Sequence, residues 1–455
     1  SLYSIKQLIP DDKKKLIKKY FFPYKYIQEI EAQRVLDYKA LEYSRNQIKD
    51  FESRLSKKDE FLASLPEKIG FGEFYKIDQR EVKINNVDFI YTEFKDDYFE
   101  VKKSGSARSG SVYAEKFQDK IIIMSGDGYF QYFTINNLKE EKFKSKIIKS
   151  NIRELINYNK FFENSMYGVK DLFIMDNQIY FSYINEVKDN CYNTSIMRAE
   201  INFEILIFKN FFAPSECITD NYEGFEPASS GGRMAKLDDK IIFSIGEYLS
   251  RDKAQNENSI FGKIFILDPK NKDFKKLASM GHRNAQGLLY DNENKSIFST
   301  EHGPKGGDEV NINKNFFNSK INNYGWPISS YGEHYTYSIE AYKKYPFHKS
   351  HSKYGFIEPV KYFVPSIGIS QIVKMNNFFN SKENNSYLIG ALGNDPAEGD
   401  LSLHYIQLSE NLDQVKKHEI FFVNNRVRDL IIIDEKNILS TLETNSTIGH
   451  LKIKN

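Results

Sequence analysis

The sequence predicts an all-β fold, a six-bladed β-propeller preceded by an N-terminal α-helical extension. Two observations support this prediction: the composition of the chain changes near residue 72, and a unit of two strands joined by a turn recurs six times beyond that point. We therefore expect two parts, a helical and partly coiled-coil-like extension at 1–72 and the propeller at 73–455.

The predicted extension is rich in Lys, Glu, Gln and Arg between residues 11 and 65 and has almost no glycine. Apolar residues on a seven-residue spacing run along one face of this helix: Ile27, Leu41, Ile48, Leu55 and Leu62. Because Arg34 interrupts the series, a helix packed on the propeller is favoured over a free coiled coil. Pro66, Gly70 and Gly72 are expected to end the helix.

The recurring unit consists of two apolar strands joined by a polar turn of Asp, Asn or Lys, and its second strand ends in Ser or Gly. Its copies lie at 114–128, 171–184, 232–247, 286–303, 370–393 and 428–444. Most copies are followed by a further strand, which is the arrangement of four-stranded propeller blades with long loops. The alternative is a β-sandwich whose strands resemble one another by chance.

Composition excludes several classes of function. The formal charge of +2 gives no reason to expect a nucleic-acid partner, and no apolar run is long enough to span a membrane. Only Cys191 and Cys217 are present, so the sequence allows one disulfide bridge or two free thiols and excludes a cysteine-rich metal site. The aromatic content of 15% suits a β-rich core or a carbohydrate-facing surface.

The most specific signal lies in the fourth copy and the loops after it. Three segments stand out: GHRNAQGL at 281–288, EHGPKGGDE at 301–309 and NYGWP at 323–327. Together with VPSIGIS at 364–370 and NNRVRDL at 424–430, they resemble the glucose/sorbosone dehydrogenase family of soluble, quinone-dependent sugar dehydrogenases. The resemblance covers most of the predicted propeller and none of residues 1–70.

The resemblance implies a site for pyrroloquinoline quinone (PQQ). PQQ has three carboxylates, which guanidinium groups match well. The expected cofactor contacts are Arg283, Asn284, Asp308, Arg426 and Arg428. Side chains two residues apart on a strand point to the same side, so Arg426 and Arg428 can converge on one ligand. The alternative is that these arginines form surface ion pairs with Asp429 or Glu301.

The resemblance also implies calcium. The carbonyl oxygens of Gly303 and Pro304 are expected to hold the ion that binds the quinone, because calcium readily accepts carbonyl ligands. Glu309 and Tyr324 resemble contributors to a second, structural calcium site.

The sequence departs from the family at the position of the catalytic base. The family uses a histidine to take the proton of the sugar hydroxyl, and Ser229 occupies that position here. Gly393 replaces a family lysine, and Met166 lies where the family has a glutamine. Lys170 and Lys305 are candidates to replace the missing cation. His282 and His302 are poor replacements for the base, because active relatives also tolerate His at these two positions.

Two functions remain open. In the first, the propeller has impaired or lost dehydrogenase chemistry and binds a sugar, a glycan or a protein; in the second, it is an active calcium- and PQQ-dependent aldose dehydrogenase with a substitute base. The N-terminal helix is a candidate for a protein contact or self-association. The family works in the periplasm or outside the cell, so we expect the same location, with a membrane tether removed before Ser1 as one option.

Overall fold

A computed structural model describes residues 13, 27, 30–35, 37, 41–42, 44–45, 71–96, 112–220, 225–271, 273–336, 340–375, 378, 385–444 and 447–454. The chain divides into two compact units, Ser1–Gly70 and Phe71–Asn455. The described residues of the first unit are helical, and the rest of the predicted extension lies outside the described residues. Among the described residues, no helix combines the length and the apolar character that a membrane crossing requires.

The second unit consists almost entirely of strands. In chain order they are β1 (Phe71–Ile84), β2 (Val87–Asp96), β3 (Val112–Phe117), β4 (Lys120–Ser125), β5 (Phe130–Thr134), β6 (Lys142–Ser150), β7 (Val169–Met175), β8 (Gln178–Lys188), β9 (Cys191–Glu200), β10 (Ile205–Leu206), β11 (Lys209–Phe212), β12 (Ile218–Thr219), β13 (Gly231–Leu237) and β14 (Lys240–Ile245).

The remaining strands are β15 (Lys263–Leu267), β16 (Lys275–Met280), β17 (Ala285–Asp291), β18 (Ser296–Glu301), β19 (Asp308–Asn313), β20 (Asn322–Asn323), β21 (Lys361–Phe363), β22 (Ile369–Lys374), β23 (Ser386–Ala391), β24 (Ser402–Leu408), β25 (Val415–Phe422), β26 (Val427–Asp434), β27 (Asn437–Leu442) and β28 (Thr447–Ile453). Among the described residues of this unit, short α-helices lie at α1 (Ile152–Leu155), α2 (Asn159–Glu163) and α3 (Glu340–Lys343).

Each copy of the recurring sequence unit forms an antiparallel pair of strands: β3 with β4, β7 with β8, β13 with β14, β17 with β18, β22 with β23 and β26 with β27. The polar turns follow from their residues. Asp176 and Asn177, between β7 and β8, both have positive φ (49° and 61°), a conformation that Asp and Asn tolerate better than most residues. The sequence therefore predicted these hairpins correctly.

The strands assemble into sheets in the orders β7-β8-β9-β11, β13-β14-β15-β16-β20, β17-β18-β19-β21 and β22-β23-β24-β25, with β12 added to β9. A ten-stranded sheet has the order β26-β27-β28-β2-β1-β6-β5-β4-β3, with β10 added to β6. In it the long β1 pairs with both β2 and β6, and β2 pairs with β28, so the first strands and the last strand of this unit lie side by side.

The first strand of each copy lies on the inside of the unit. Within the described residues, β3 contacts β7, β7 contacts β13, and the series continues through β17, β22 and β26 back to β3. The fold is therefore all-β, with a closed ring of inner strands.

Apolar side chains fill the space between neighbouring sheets. One cluster joins the sheet of β3 to β6 with that of β7 to β9 and includes Ile122, Phe130, Ile179 and Phe181, none of them more than 1% exposed. Burial of a side chain of this size contributes roughly 1.5 to 3 kcal/mol. These clusters fix the sheets around the ring and hence the loops at its ends.

Cys191 and Cys217 form a disulfide bridge, which decides between the two alternatives that the sequence left open. Cys191 begins β9, and Cys217 directly precedes β12, which pairs with β9 through Thr219 and Cys191. The bridge therefore holds the short β12 against its sheet.

Candidate functional site

A buried ion network links the inner strands. Arg233 on β13 is 1% exposed, and its Nη1 atom donates to the Asp171 carboxylate on β7 at 2.6 Å and to the Asp429 carboxylate on β26 at 2.9 Å. Its Nε atom donates to the Gln286 carbonyl on β17, and its Nη2 atom donates to the Arg428 carbonyl. One guanidinium therefore ties four inner strands together.

A cavity of about 240 Å³ borders this network, and residues from each of the six hairpins or their adjoining loops line it. Among the predicted site residues it brings together Gly303, Pro304, Asp308, Arg426 and Arg428. The volume is slightly below the roughly 300 Å³ at which small-molecule sites commonly begin.

Arg426 and Arg428 converge, as the sequence predicted, but on a carboxylate of the protein itself. The Nε and Nη2 atoms of Arg426 lie 3.1 and 3.0 Å from the Glu443 Oε2 atom, and the Arg428 Nε atom donates to Glu443 Oε1 at 2.6 Å. Glu443 is 2% exposed. The ion-pair alternative named Asp429 or Glu301, and Glu443 is the residue that makes the pair.

Both guanidiniums have further partners. Arg428 Nη1 donates to the Gln286 amide oxygen at 2.8 Å, and Arg426 Nη1 donates to the Leu392 carbonyl and to the Asn394 side chain. The two positive charges in the cavity wall are thus partly neutralised and held in place by the protein.

Arg283 and Asn284 lie behind the cavity wall, since neither is among the lining residues. The Arg283 Nη1 atom donates to the His302 carbonyl at 3.0 Å, and its guanidinium lies 5.5 Å from the Trp326 ring. The Asn284 side chain accepts from Gly231 N and donates to the Ala228 carbonyl. In this structure both residues shape loops that form the wall.

The predicted calcium loop has the donor set that calcium accepts. Asp308 holds the loop, since its Oδ1 atom accepts from Gly303 N and its Oδ2 atom accepts from Ile369 N, each at 2.9 Å. Within the described residues no backbone N–H group donates to the carbonyl oxygen of Gly303 or Pro304. Carbonyl oxygens are ligands that calcium accepts, although no cluster of three or more His, Cys, Asp or Glu ligands occurs in the described part of the chain.

Glu309 and Tyr324, the residues predicted for a second calcium site, both contact one histidine. The His351 imidazole lies between them: its Nδ1 atom donates to the Tyr324 carbonyl at 2.8 Å, and its Nε2 atom is 3.2 Å from the Glu309 carboxylate. Burial alone would lower the pKa of His351, but the Glu309 carboxylate outweighs that effect and raises it. A histidine side chain thus makes the contacts that were expected of a metal ion.

Ser229 is 3% exposed and does not line the cavity, whereas Ala228 and Ser230 on either side of it do. It ends a short 3-10 turn, and its carbonyl accepts from Tyr248 N at 3.0 Å. Ser229 therefore does not place a basic side chain in the cavity, as the family histidine would.

Glu247 was missed by the sequence analysis. It follows β14 and is fully buried, and the groups nearest to its carboxylate include the Leu249 backbone and the Trp326 indole. Burial raises its pKa to about 7, against the opposing charges of Arg283 and Arg251. The sequence repeats contain a signal for such residues. The second strand of the fourth copy ends in Glu301, and the second strand of the sixth copy is followed directly by Glu443.

The position of the family lysine has no room for a side chain. A Cβ atom on Gly393 would overlap the carboxylate of Asp400, which is 3% exposed and accepts from Asp395 N at 2.8 Å. Burial raises the pKa of Asp400. The Asp400 carboxylate therefore occupies the space in which the resemblance implied a lysine side chain.

Of the four residues named as replacements for the missing cation and base, Lys170 and His302 line the cavity. The Lys170 ammonium donates to the Met166 carbonyl at 2.6 Å. His282 is buried elsewhere, with its ring nitrogens bonded to Glu301 and Ser279. Lys305 is exposed.

Comparison with known proteins identifies relatives of this arrangement. The sequence profile described as Glucose / Sorbosone dehydrogenase matches residues 167–448. An uncharacterized protein of Synechocystis sp. is 28% identical over 223 residues, which are 44% of this chain and 50% of that protein. The aldose sugar dehydrogenase YliI of Escherichia coli is 31% identical over 176 residues, 36% of this chain and 44% of that protein. The chain thus matches half or less of the length of these curated relatives.

Solved structures share the fold. The soluble aldose sugar dehydrogenase of Escherichia coli in its apo form has a TM-score of 0.57 at 18% identity, covering 78% of this chain and 99% of that one. The PQQ-bound aldose sugar dehydrogenase of Streptomyces coelicolor has a TM-score of 0.51 at 17% identity, covering 76% and 98%. At these identities the likeness concerns the fold alone.

Proposed function

Because the chain belongs to the glucose/sorbosone dehydrogenase family, we propose that it is a six-bladed propeller that binds a sugar or glycan and has impaired or lost the family's quinone-dependent chemistry. The blade count rests on the closed series of six inner strands. The observation that supports the functional proposal best is the Glu443 carboxylate between Arg426 and Arg428.

The charges in and behind the cavity wall nearly cancel. Arg426, Arg428 and Lys170 contribute positive charge, whereas Glu443 and Asp308 contribute negative charge. The family lysine is absent, and the acidic Asp400 fills its space. A ligand with three carboxylates needs several cations that are not already paired, so this wall suits a neutral polar ligand better than PQQ.

The absence of the family's catalytic histidine also supports impaired or lost dehydrogenase chemistry. A bound quinone supplies hydride acceptance, and the protein must take the proton of the sugar hydroxyl. Ser229 offers no ionisable group and lies outside the cavity lining. Removal of a general base typically costs about 100- to 10,000-fold in rate.

The alternative is an active calcium- and PQQ-dependent aldose dehydrogenase. It is favoured by one observation: Gly303 and Pro304 line the cavity, and within the described residues no backbone N–H group donates to their carbonyl oxygens. In that case these carbonyls would hold calcium, and Arg426 and Arg428 would hold the cofactor.

The test combines calorimetric titration with PQQ and calcium, a dye-reduction assay with a panel of aldoses, and titration with neutral saccharides observed by NMR. We expect saturable saccharide binding, PQQ binding weaker than micromolar and no turnover. Micromolar PQQ binding with turnover would establish the alternative, and absence of saccharide binding would remove the carbohydrate proposal.

We also propose a periplasmic or secreted location, supported by the Cys191–Cys217 bridge, because disulfides persist in oxidising compartments. The predicted N-terminal extension remains our candidate for contact with another protein or for self-association. Sedimentation of the full chain and of a chain that starts at Phe71 tests this role, and equal oligomeric states would contradict it.

A further inference from the structure

His302 is the histidine on the wall of the cavity, and it follows the last residue of β18. Its backbone is fixed on both sides: its amide donates to the Asn284 carbonyl at 3.1 Å, and its carbonyl accepts from Arg283 Nη1 at 3.0 Å. Its ring nitrogen Nε2 is buried and has no hydrogen-bond partner in the described part of the chain. A buried polar atom left without a partner is destabilising, and a ligand that pairs with it would remove that cost.

The charged and amide side chains of the wall already have partners. Both Asp308 oxygens accept backbone N–H groups, and Glu443 accepts from two guanidiniums. The Gln286 amide accepts from Arg428 and donates to Asn284. His302 Nε2 differs from these groups: like the hydroxyls of Ser230 and Ser366, which also line the cavity, it is a buried hydrogen-bonding atom without a partner in the described part of the chain.

The chemistry of the imidazole ring limits which ligand groups can pair with His302. A neutral imidazole has one N–H donor and one lone pair. A hydroxyl group can serve either nitrogen, because it both donates and accepts, whereas a carboxylate can only accept and an ammonium group can only donate.

We propose that His302 determines specificity in this cavity by hydrogen bonding through Nε2 to a hydroxyl group of a neutral polyhydroxy ligand. This inference rests on the proposed carbohydrate-binding function and names the contact residue and the ligand class.

The test compares His302→Leu, which removes both ring nitrogens, with His302→Gln, which keeps a donor and an acceptor. The probes are glucose, maltotriose and glucuronate, and the affinity is measured by calorimetry or by NMR titration. We expect His302→Leu to weaken binding of the neutral probes about three- to tenfold. His302→Gln should stay within about twofold of the wild type, and the wild type should prefer glucose to glucuronate.

His348→Leu is the matched control, because His348 stacks on Tyr354 and is not among the residues that line the cavity. It should leave the saccharide affinity unchanged. A second readout uses the wild-type protein: the ¹⁵N resonances of the His302 ring should shift when a neutral saccharide is added.

The outcomes separate this inference from the function on which it rests. If the wild type binds no neutral saccharide, the proposed function fails and the inference fails with it. If the wild type binds and His302→Leu binds equally well, or if the His302 ring resonances do not move on saturation, the inference alone is wrong. Retained binding by His302→Gln with loss in His302→Leu would support it.

Discussion

Arg426 and Arg428 show how one carboxylate alters what a pair of cations can bind. The sequence places both side chains on one side of the chain near the start of β26, and in the structure both guanidiniums contact Glu443. Glu443 lies between them and, at 2% exposure, is shielded from solvent screening. At the scale of single residues, the cavity is a polar surface whose charges are largely compensated.

Replacement of Glu443 by Gln should therefore raise the affinity for PQQ by about tenfold, the equivalent of about 1.4 kcal/mol. Gln keeps a hydrogen-bond acceptor for the two guanidiniums but removes the competing negative charge. Calorimetric titration with PQQ and calcium measures the change, and Glu435→Gln, an exposed change in the turn between β26 and β27, is the control. Equal affinities in all three proteins would show that Glu443 does not oppose anion binding.

Glu247 should make stability depend on pH. Its folded-state pKa of about 7 exceeds the unfolded value, so the folded protein retains a proton that the unfolded chain has released. The free energy of unfolding should then fall as the pH rises from about 4.3 to 7, by on the order of 3 kcal/mol.

Glu247→Gln should flatten this dependence in urea unfolding curves at about pH 5 and pH 7.5. The exposed Glu257→Gln should leave the slope unchanged. Burial also raises the pKa of Asp171, and Arg233 opposes that effect, so a smaller slope should remain in Glu247→Gln. A slope in that variant equal to the wild-type slope would show that Glu247 does not contribute.

At the scale of elements, the hairpins follow from local sequence, whereas the contacts among them do not. Alternating apolar residues and Asp or Asn turns specify β7 and β8 without reference to other strands. The position of β13 against β7 and β26 depends on Arg233, Asp171 and Asp429. Arg233 is 62 residues from Asp171 and 196 residues from Asp429 in the chain. Their shared ion pairs hold the inner ends of three sheets in register.

Arg233→Met should destabilise the protein by about 3 to 5 kcal/mol, because it leaves two buried carboxylates without their cation. Chemical denaturation measures the change. Lys236→Met lies on the same strand, where Lys236 is exposed and forms a 3.7 Å ion pair with Asp176, so it should cost less than about 1 kcal/mol. Similar losses in the two variants would contradict a central role for the network.

At the scale of the whole molecule, the ring closes through pairing of β2 with β28. The first strands of the second unit and its last strand share one sheet, so neither chain end of the unit is left as an open edge there. The cavity depends on this closure, since Tyr113 on β3 and Arg428 on β26 line it together.

Leu451→Ala in β28 should destabilise the unit by about 2 to 5 kcal/mol, because Leu451 is 2% exposed and contributes to the core beside β27. Lys452→Ala, the next residue on the opposite face, should change stability by less than about 0.5 kcal/mol. Thermal unfolding of both variants checks this. A small effect of Leu451→Ala would mean that the closing strand contributes little to the fold.

The sequence alone determined the strand pairs, the family and several residues of the cavity wall. These rest on short-range features: turn residues such as Asp176 and Asn177, and motifs such as Gly303-Pro304 that remain contiguous in the chain. Side-chain alternation and turn chemistry act over a few residues, so they can be recognised without a fold.

Only the tertiary structure decided which charges meet. Glu443 pairs with Arg426 and Arg428, Asp400 fills the space beside Gly393, and His351 lies between Glu309 and Tyr324. These partners come from separate strands and loops, and their distances are set by how the sheets pack around the ring. Sequence patterns specify the period of each strand but not these separations, and ion pairing depends on the separations.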